Sequence, residues 1–394
     1  MFLRHSTAAV LGCLAVMGVA ASVARAQNVT TDPVGAITIT LKGSSDTNVS
    51  LPFHRPVALE TQVQSMTGNV ISISASANIT ASQFVYVKNS QPNTYYVQFT
   101  TGGRAGMYYT VTANDQTSIT IDNNGDSNLS NVVGSGNTFR VIPYWTLNTL
   151  FPSGQGINQS SSPSANQRNS SILFMPNNVP GVASTTSGIN LVSAVSFYYY
   201  NGSAGTPPNN GPGWRKASDN TFAILNDTII YPDTFFTVHN AIPGDTTLTV
   251  VGAVPMSAYT TPITVLAANK PQDIFVGINA PVPVSLSASN LSTSGAFLAS
   301  SSPAANQRND TLLVFNTGLT GFNHVPANTY YYYSGAAGTP PNNGPGWRLA
   351  GDNSFTIQDN LVFFQPGQAY IIRKKAVSSP QTFIWSFTPS YLGP

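Results

Sequence analysis

Thirteen aspartates but a single glutamate, Glu60, supply all the carboxylate side chains of this 394-residue chain. Hydrolysis of a glycosidic bond needs two carboxylates at a set separation. An Asp pair could serve, yet most of these aspartates stand beside Asn, Gly, Ser or Thr, where Asp shapes turns. His54, His239 and His324 are far apart and form neither a His-x-His nor a His-x-x-x-His pair. There is no Gly-x-Ser-x-Gly elbow, no Gly-x-Gly-x-x-Gly and no Walker loop. Metal-hydrolase, serine-hydrolase and nucleotide-binding chemistries therefore lack their parts. A dispersed Asp site, or a Ser/His/Asp set assembled through the fold, stays open.

Two other patterns could bind a ligand. Asp122, Asn124, Asp126 and Asn128 place oxygen side chains at alternate positions, the spacing by which one loop wraps Ca²⁺. Ser127 stands where such a loop has Gly, and Val133 where it has a bidentate acid; the plainer reading is an Asn-Gly hairpin turn. The second pattern is aromatic. Phe197-Tyr198-Tyr199-Tyr200 and Tyr330-Tyr331-Tyr332-Tyr333 are each followed by Gly-Trp-Arg, at Trp214-Arg215 and Trp347-Arg348. Strand alternation gives both faces of such a run aromatic rings. One face packs in a core, with the indoles at least half buried. The other either packs too or offers Tyr198, Tyr200, Tyr331 and Tyr333 as a platform for sugar rings, with Arg215 and Arg348 as donors.

The elements that would carry these residues are strands. Ile37, Ile39 and Leu41 alternate with threonines, Ile71 and Ile73 with serines, and Ile119 and Ile121 flank Thr120. Asn-Gly, Pro-Gly and Asp-Asn pairs punctuate the chain every eight to twelve residues, and no capped amphipathic helix is visible. The expected class is all-β, in tandem sandwich-like units.

Self-comparison shows internal repetition. Ser160–Asn169 matches Ser300–Asn309, and Ala204–Arg215 is identical to Ala337–Arg348. Thr221-Phe222-Ala223-Ile224 and Ser354-Phe355-Thr356-Ile357 follow as expected apolar strands. A fainter third copy lies upstream: Asn93-Thr94-Tyr95-Tyr96 echoes Asn328-Thr329-Tyr330-Tyr331. Asp46, Val49, Pro56, Val57 and Leu59 recur as Asp273, Val276, Pro283, Val284 and Leu286. A threefold repeat follows, with units over 27–145, 146–282 and 283–394.

Residues 1–26 have the plan of a secretory signal peptide: Arg4, an apolar stretch to Val23, then Ala24-Arg25-Ala26. A lipoprotein box at Val10–Cys13 fits less well, because Leu precedes Gly. Cleavage before Gln27 removes Arg4 and Arg25, leaving 14 basic residues to match 14 acidic ones, and removes the one cysteine. The mature chain is then neutral and free of thiols, disulfides and thiolate metal sites. Only 8% of residues are charged and the basic ones are scattered, apart from Arg373-Lys374-Lys375, so nucleic acid is not an expected partner. No mature segment reaches 18 uninterrupted apolar residues, and 28 prolines interrupt any barrel pattern.

Asp32-Pro33-Val34-Gly35, Pro143-Tyr144-Trp145-Thr146-Leu147, the Tyr runs with their Trp-Arg, Gln272-Asp273-Ile274-Phe275-Val276 and Pro366 to Lys374 are together similar to an uncharacterised family of exported β-rich proteins. That family occurs as multiple paralogues in Verrucomicrobia. The resemblance implies compartment and class and brings no catalytic residues. The leading expectation is an exported, non-catalytic structural or adhesive protein of the cell surface or extracellular material, with polysaccharide or other surface proteins as partners. A carbohydrate-binding protein using the Tyr/Trp faces, and a secreted hydrolase with a dispersed Asp site, are the alternatives.

Overall fold

The structure, a computed structural model, describes residues 32–176, 186–202, 210–335 and 343–393. These residues form antiparallel strands in several sheets, and the two α-helices among them have four residues each. The class expected from period-two patterning is thus the one observed. Among the described residues no helix is long and apolar enough to cross a membrane.

Two five-stranded sheets dominate. The first runs, edge to edge, Gly213–Lys216, Val195–Tyr200, Ser170–Phe174, Phe235–Asn240 and Ser45–Ser50. The second runs Gly346–Leu349, Asn328–Tyr333, Thr311–Val314, Ala369–Lys374 and Gln272–Gly277. Taken in chain order, the strands of both sheets follow one pattern: the first at an edge, the last beside it, then the second, third and fourth. Each sheet shares its core with a two-stranded ribbon. Val34–Leu41 pairs with Thr246–Ala253, and Leu41, Leu248 and Val250 pack with Ile172, Phe197, Trp214 and Phe236. Tyr259–Val265 pairs with Gln381–Phe387, and Ile263 and Trp385 pack with Leu312, Trp347 and Tyr370.

A third sheet has seven strands: Leu59–Gln62, Thr138–Pro143, Tyr95–Phe99, Tyr108–Asn114, Ser118–Ile121, Val70–Ser72 and Ser65–Thr67. It has its own core around Ile71, Val97, Phe99, Ile119 and Phe139. Its first five strands in space, Leu59–Gln62 to Ser118–Ile121, follow the same order as the five-stranded sheets, and the hairpin Ser65–Ser72 adds two more at the far edge. This module is inserted within the first unit, since the chain leaves that unit's core at Phe53 and rejoins it near Leu147.

Strand pairing therefore draws boundaries other than 27–145, 146–282 and 283–394. Ser45–Ser50 completes the sheet of residues 170–240, and Gln272–Gly277 completes that of residues 311–374. The matches of Asp46 and Val49 with Asp273 and Val276 relate these two edge strands. Thr221–Ile224 and Ser354–Ile357 are not strands. The Asp219 carboxylate accepts N–H bonds from Thr221 and Ala223, and Asp352 does so from Ser354 and Thr356. Phe222 and Phe355 both sit at φ 55°. Carboxylate capture of local backbone donors wins over the apolar pattern.

Candidate functional site

The aromatic runs divide by face, as alternation requires. Phe197 and Tyr199, like Tyr330 and Tyr332, turn toward the cores, where Tyr199 meets Trp214 and Tyr332 meets Trp347. Both indoles are fully buried. The opposite face is no open platform: Tyr198, Tyr200, Arg215, Tyr331, Tyr333 and Arg348 are each at most 5% exposed. Register explains this. Tyr198 lies opposite Arg215, and Tyr331 opposite Arg348. The guanidinium of Arg168 sits 4.6 Å from the Tyr198 ring centroid and that of Arg308 4.5 Å from Tyr331. Arg215 and Arg348 lie 5.9 Å from Tyr200 and Tyr333. Cations and rings alternate in a stack, and the cations are also hydrogen-bonded. Arg168 donates to the Pro163 and Ala217 carbonyls, Arg308 to those of Pro303 and Ala350, and Arg215 and Arg348 to those of Gly211 and Gly344.

The repeated Ser-Pro-x-Ala-Asn-Gln-Arg-Asn motif thereby acquires a structural reason. It delivers Arg168 and Arg308 onto the tyrosines, while Ser160 and Ser300 accept from the backbone of Asn169 and Asn309. The Thr-Pro-Pro-Asn loops of the identical segments fall within 203–209 and 336–342, outside the described residues.

The segment 122–128 is a turn from the strand Ser118–Ile121 into the four-residue helix Leu129–Val132 rather than the expected hairpin, since the next strand does not pair with Ser118–Ile121, and it carries Asn124 at φ 51° and Gly125 at φ 79°. Asp122 and Asn123 accept from the next-but-one backbone N–H groups. Asp126 faces a guanidinium: Arg104 donates to it through Nε at 2.6 Å and Nη2 at 2.8 Å, and the Tyr109 hydroxyl at 2.9 Å. Those bonds hold the Asp126 carboxyl below its ordinary pKa and raise Arg104. Asn128 accepts from the Asn131 amide at 2.8 Å. Among the described residues, no three His, Asp or Glu side chains group as metal ligands.

Two carboxylates do approach one groove, of about 390 Å³, where the five-stranded sheets meet. Phe235, Phe275, Leu313 and Ile371 form its apolar floor; Asp46, Asp273, His324 and Arg373 reach its rim. A loop from each unit crosses onto the edge strand of the other. The Gly321 carbonyl accepts from Asp46 N–H at 2.9 Å, and Asn323 N–H donates to Asp46 Oδ2 at 2.8 Å. Reciprocally, Gly188 accepts from Asp273 N–H at 2.9 Å, and Asn190 N–H donates to Asp273 Oδ2 at 2.8 Å. The second oxygen of each carboxylate is also held, Asp46 by His239 Nδ1 and Asp273 by Arg373 Nε, both at 2.7 Å. These carboxylates staple the units together. Around them stand exposed apolar side chains at matching positions: Val192 and Val325 are 80% and 81% exposed.

Reading the sequence for known motifs missed this groove. Gly188-Ile189-Asn190 and Gly321-Phe322-Asn323 are 133 residues apart, the offset of the two Trp-Arg sites, and could have revealed it. Compared with protein-family models, curated proteins and solved structures, the chain matches none.

Proposed function

We propose that the chain is exported and acts without catalysis, as a structural or adhesive protein of the cell surface or extracellular material, built from sandwich-like β units. One observation carries this reading. In the groove that gathers two aspartates, both oxygens of each carboxylate are engaged, one by a backbone N–H group and the other by a side chain, His239 or Arg373. A general acid or nucleophile needs an oxygen directed at substrate, whereas these carboxylates fix one unit against the other. The exposed valines at the rim are the surface through which adhesion to other proteins would act. The Tyr/Trp faces give a carbohydrate reading no support, because their rings are buried.

The test is fractionation of cells making the chain with and without residues 1–26. The mature protein should lie outside the cytoplasm and its N-terminal sequence should begin at Gln27. Retention of the intact chain inside the cell, or lipid on Cys13, would overturn export. Turnover of an ester, peptide or glycoside that is lost in Asp46→Asn would overturn the non-catalytic reading.

A further inference from the structure

A second cavity, of about 340 Å³, opens between the inserted module and the outer face of the second ribbon. Register sets one wall: Pro262 lies opposite Ile384 and Thr264 opposite Thr382. The two threonine hydroxyls are 3.0 Å apart. The facing wall is the 123–126 turn with Arg104, and the Met107 and Tyr108 side chains line the cavity between them.

Three features restrict what fits. Asp126 neutralises Arg104, so the cavity offers no net charge to an anion. Asp126 and the Gly103 carbonyl occupy three of the five guanidinium N–H groups, which leaves two donors in a fixed plane. Asn123, Asn124, Thr264 and Thr382 add amide and hydroxyl groups that a purely apolar ligand would strip of water without replacement. Pro262, Met107 and the 42% exposed Ile384 meanwhile offer flat apolar contact. A ring with an apolar C–H face and an edge of hydroxyls satisfies both sets at once. The volume is near the lower end of small-ligand sites, about 300–1,000 Å³.

We propose that this cleft binds a neutral saccharide of one or two rings, held by Arg104, Asn123, Asn124, Thr264 and Thr382 and packed on Pro262 and Ile384. The bonds made by Asp126 become positioning contacts: they hold the guanidinium plane toward the sugar.

The mature chain, screened against an array of neutral glycans and then titrated calorimetrically with the best of them, should bind at least one. The corresponding uronic acid should bind more weakly. Ile384→Asp, and separately Thr264→Ala with Thr382→Ala, should each weaken binding by about tenfold or more. Thermal midpoints should hold, because these side chains lie on the ribbon's outer face. Absence of binding to every neutral glycan, or binding unchanged in both variants, would overturn the proposal. Neither result depends on where fractionation finds the chain.

Discussion

Burying an arginine is favourable only where its charge and its N–H groups are both answered, and this chain answers them with carbonyl oxygens and tyrosine faces, for the buried Arg215 and Arg348 and the half-buried Arg168 and Arg308. Arg168, Arg215, Arg308 and Arg348 share that solution, which is why the Tyr runs and the Gly-Trp-Arg sites recur as sets. The indoles behind them are packed on all sides. Trp347→Ala should cost about 3–5 kcal/mol, the usual figure for a large core aromatic, and lower the thermal midpoint accordingly; an unchanged midpoint would show that Phe297 and Tyr332 do not need it. His54 makes a different prediction. It is 3% exposed with Nδ1 2.6 Å from the Arg55 carbonyl, and burial, the dominant influence, lowers its pKa. The unfolded chain then takes up this proton first, so stability should decline as pH falls through the ordinary histidine value of about 6.5. Urea midpoints measured across that range should fall for the native protein and flatten for His54→Asn. Some single residues were legible in advance, Trp214 and Trp347 above all. Others were not: Arg373-Lys374-Lys375 stands out only as a basic run, yet Lys374 is buried against Asp310 and Arg373 is paired with Asp273. Nothing local in the sequence marks those distant partners.

Elements follow local pattern where one face alone is buried. Ile37, Ile39 and Leu41 alternate with threonines because their ribbon covers a core on one side, so the expectation and the structure agree there. The same logic fails at Thr221–Ile224 and Ser354–Ile357, where an aspartate two residues upstream captures the backbone. It also fails to detect an insertion, because a strand's pattern does not say which strand it pairs with. In the second unit the chain passes from Gly277 to Val284 directly, whereas in the first it passes from Ser50 to Trp145 by way of the seven-stranded module. Joining residues 53 and 145 through a copy of Ile278-Asn279-Ala280-Pro281 should therefore leave both five-stranded sheets folded. The midpoint should drop, since Tyr108 would no longer donate to Asp233 at 2.7 Å and the Tyr96, Ile142 and Tyr144 cluster would be lost. Circular dichroism and calorimetry would check this; a chain that no longer folds would show the module to be integral.

At the scale of the molecule the two five-stranded units hold each other by reciprocal contacts. Ser50 N–H donates to the Gly367 carbonyl at 3.0 Å and Gly277 N–H to that of Asp233 at 3.2 Å, at equivalent positions. A Cβ on Gly277 would come within 2.4 Å of the Ser50 Cβ and 2.6 Å of the Thr234 carbonyl. Gly277→Ala should accordingly destabilise by about 1–3 kcal/mol, read as a lower denaturant midpoint. Adding Ser50→Gly should recover only part, because the Thr234 carbonyl remains; full additivity of the two changes would mean that the side chains do not meet.

Ser50 and Gly277 occupy the same place in their respective units, and each is the other's nearest obstacle. Two separate identical chains meeting through such a face would carry the same residue on both sides of the axis, and would have to choose serine twice or glycine twice. Two serines would collide, and two glycines would forfeit the Ser50 hydroxyl bond to the Gln368 carbonyl, 2.7 Å long. Covalent linkage removes that obligation. Along the axis of this molecule a protrusion can face a hollow, so the seam is keyed in one direction, a freedom to become unequal that a pair of identical chains lacks.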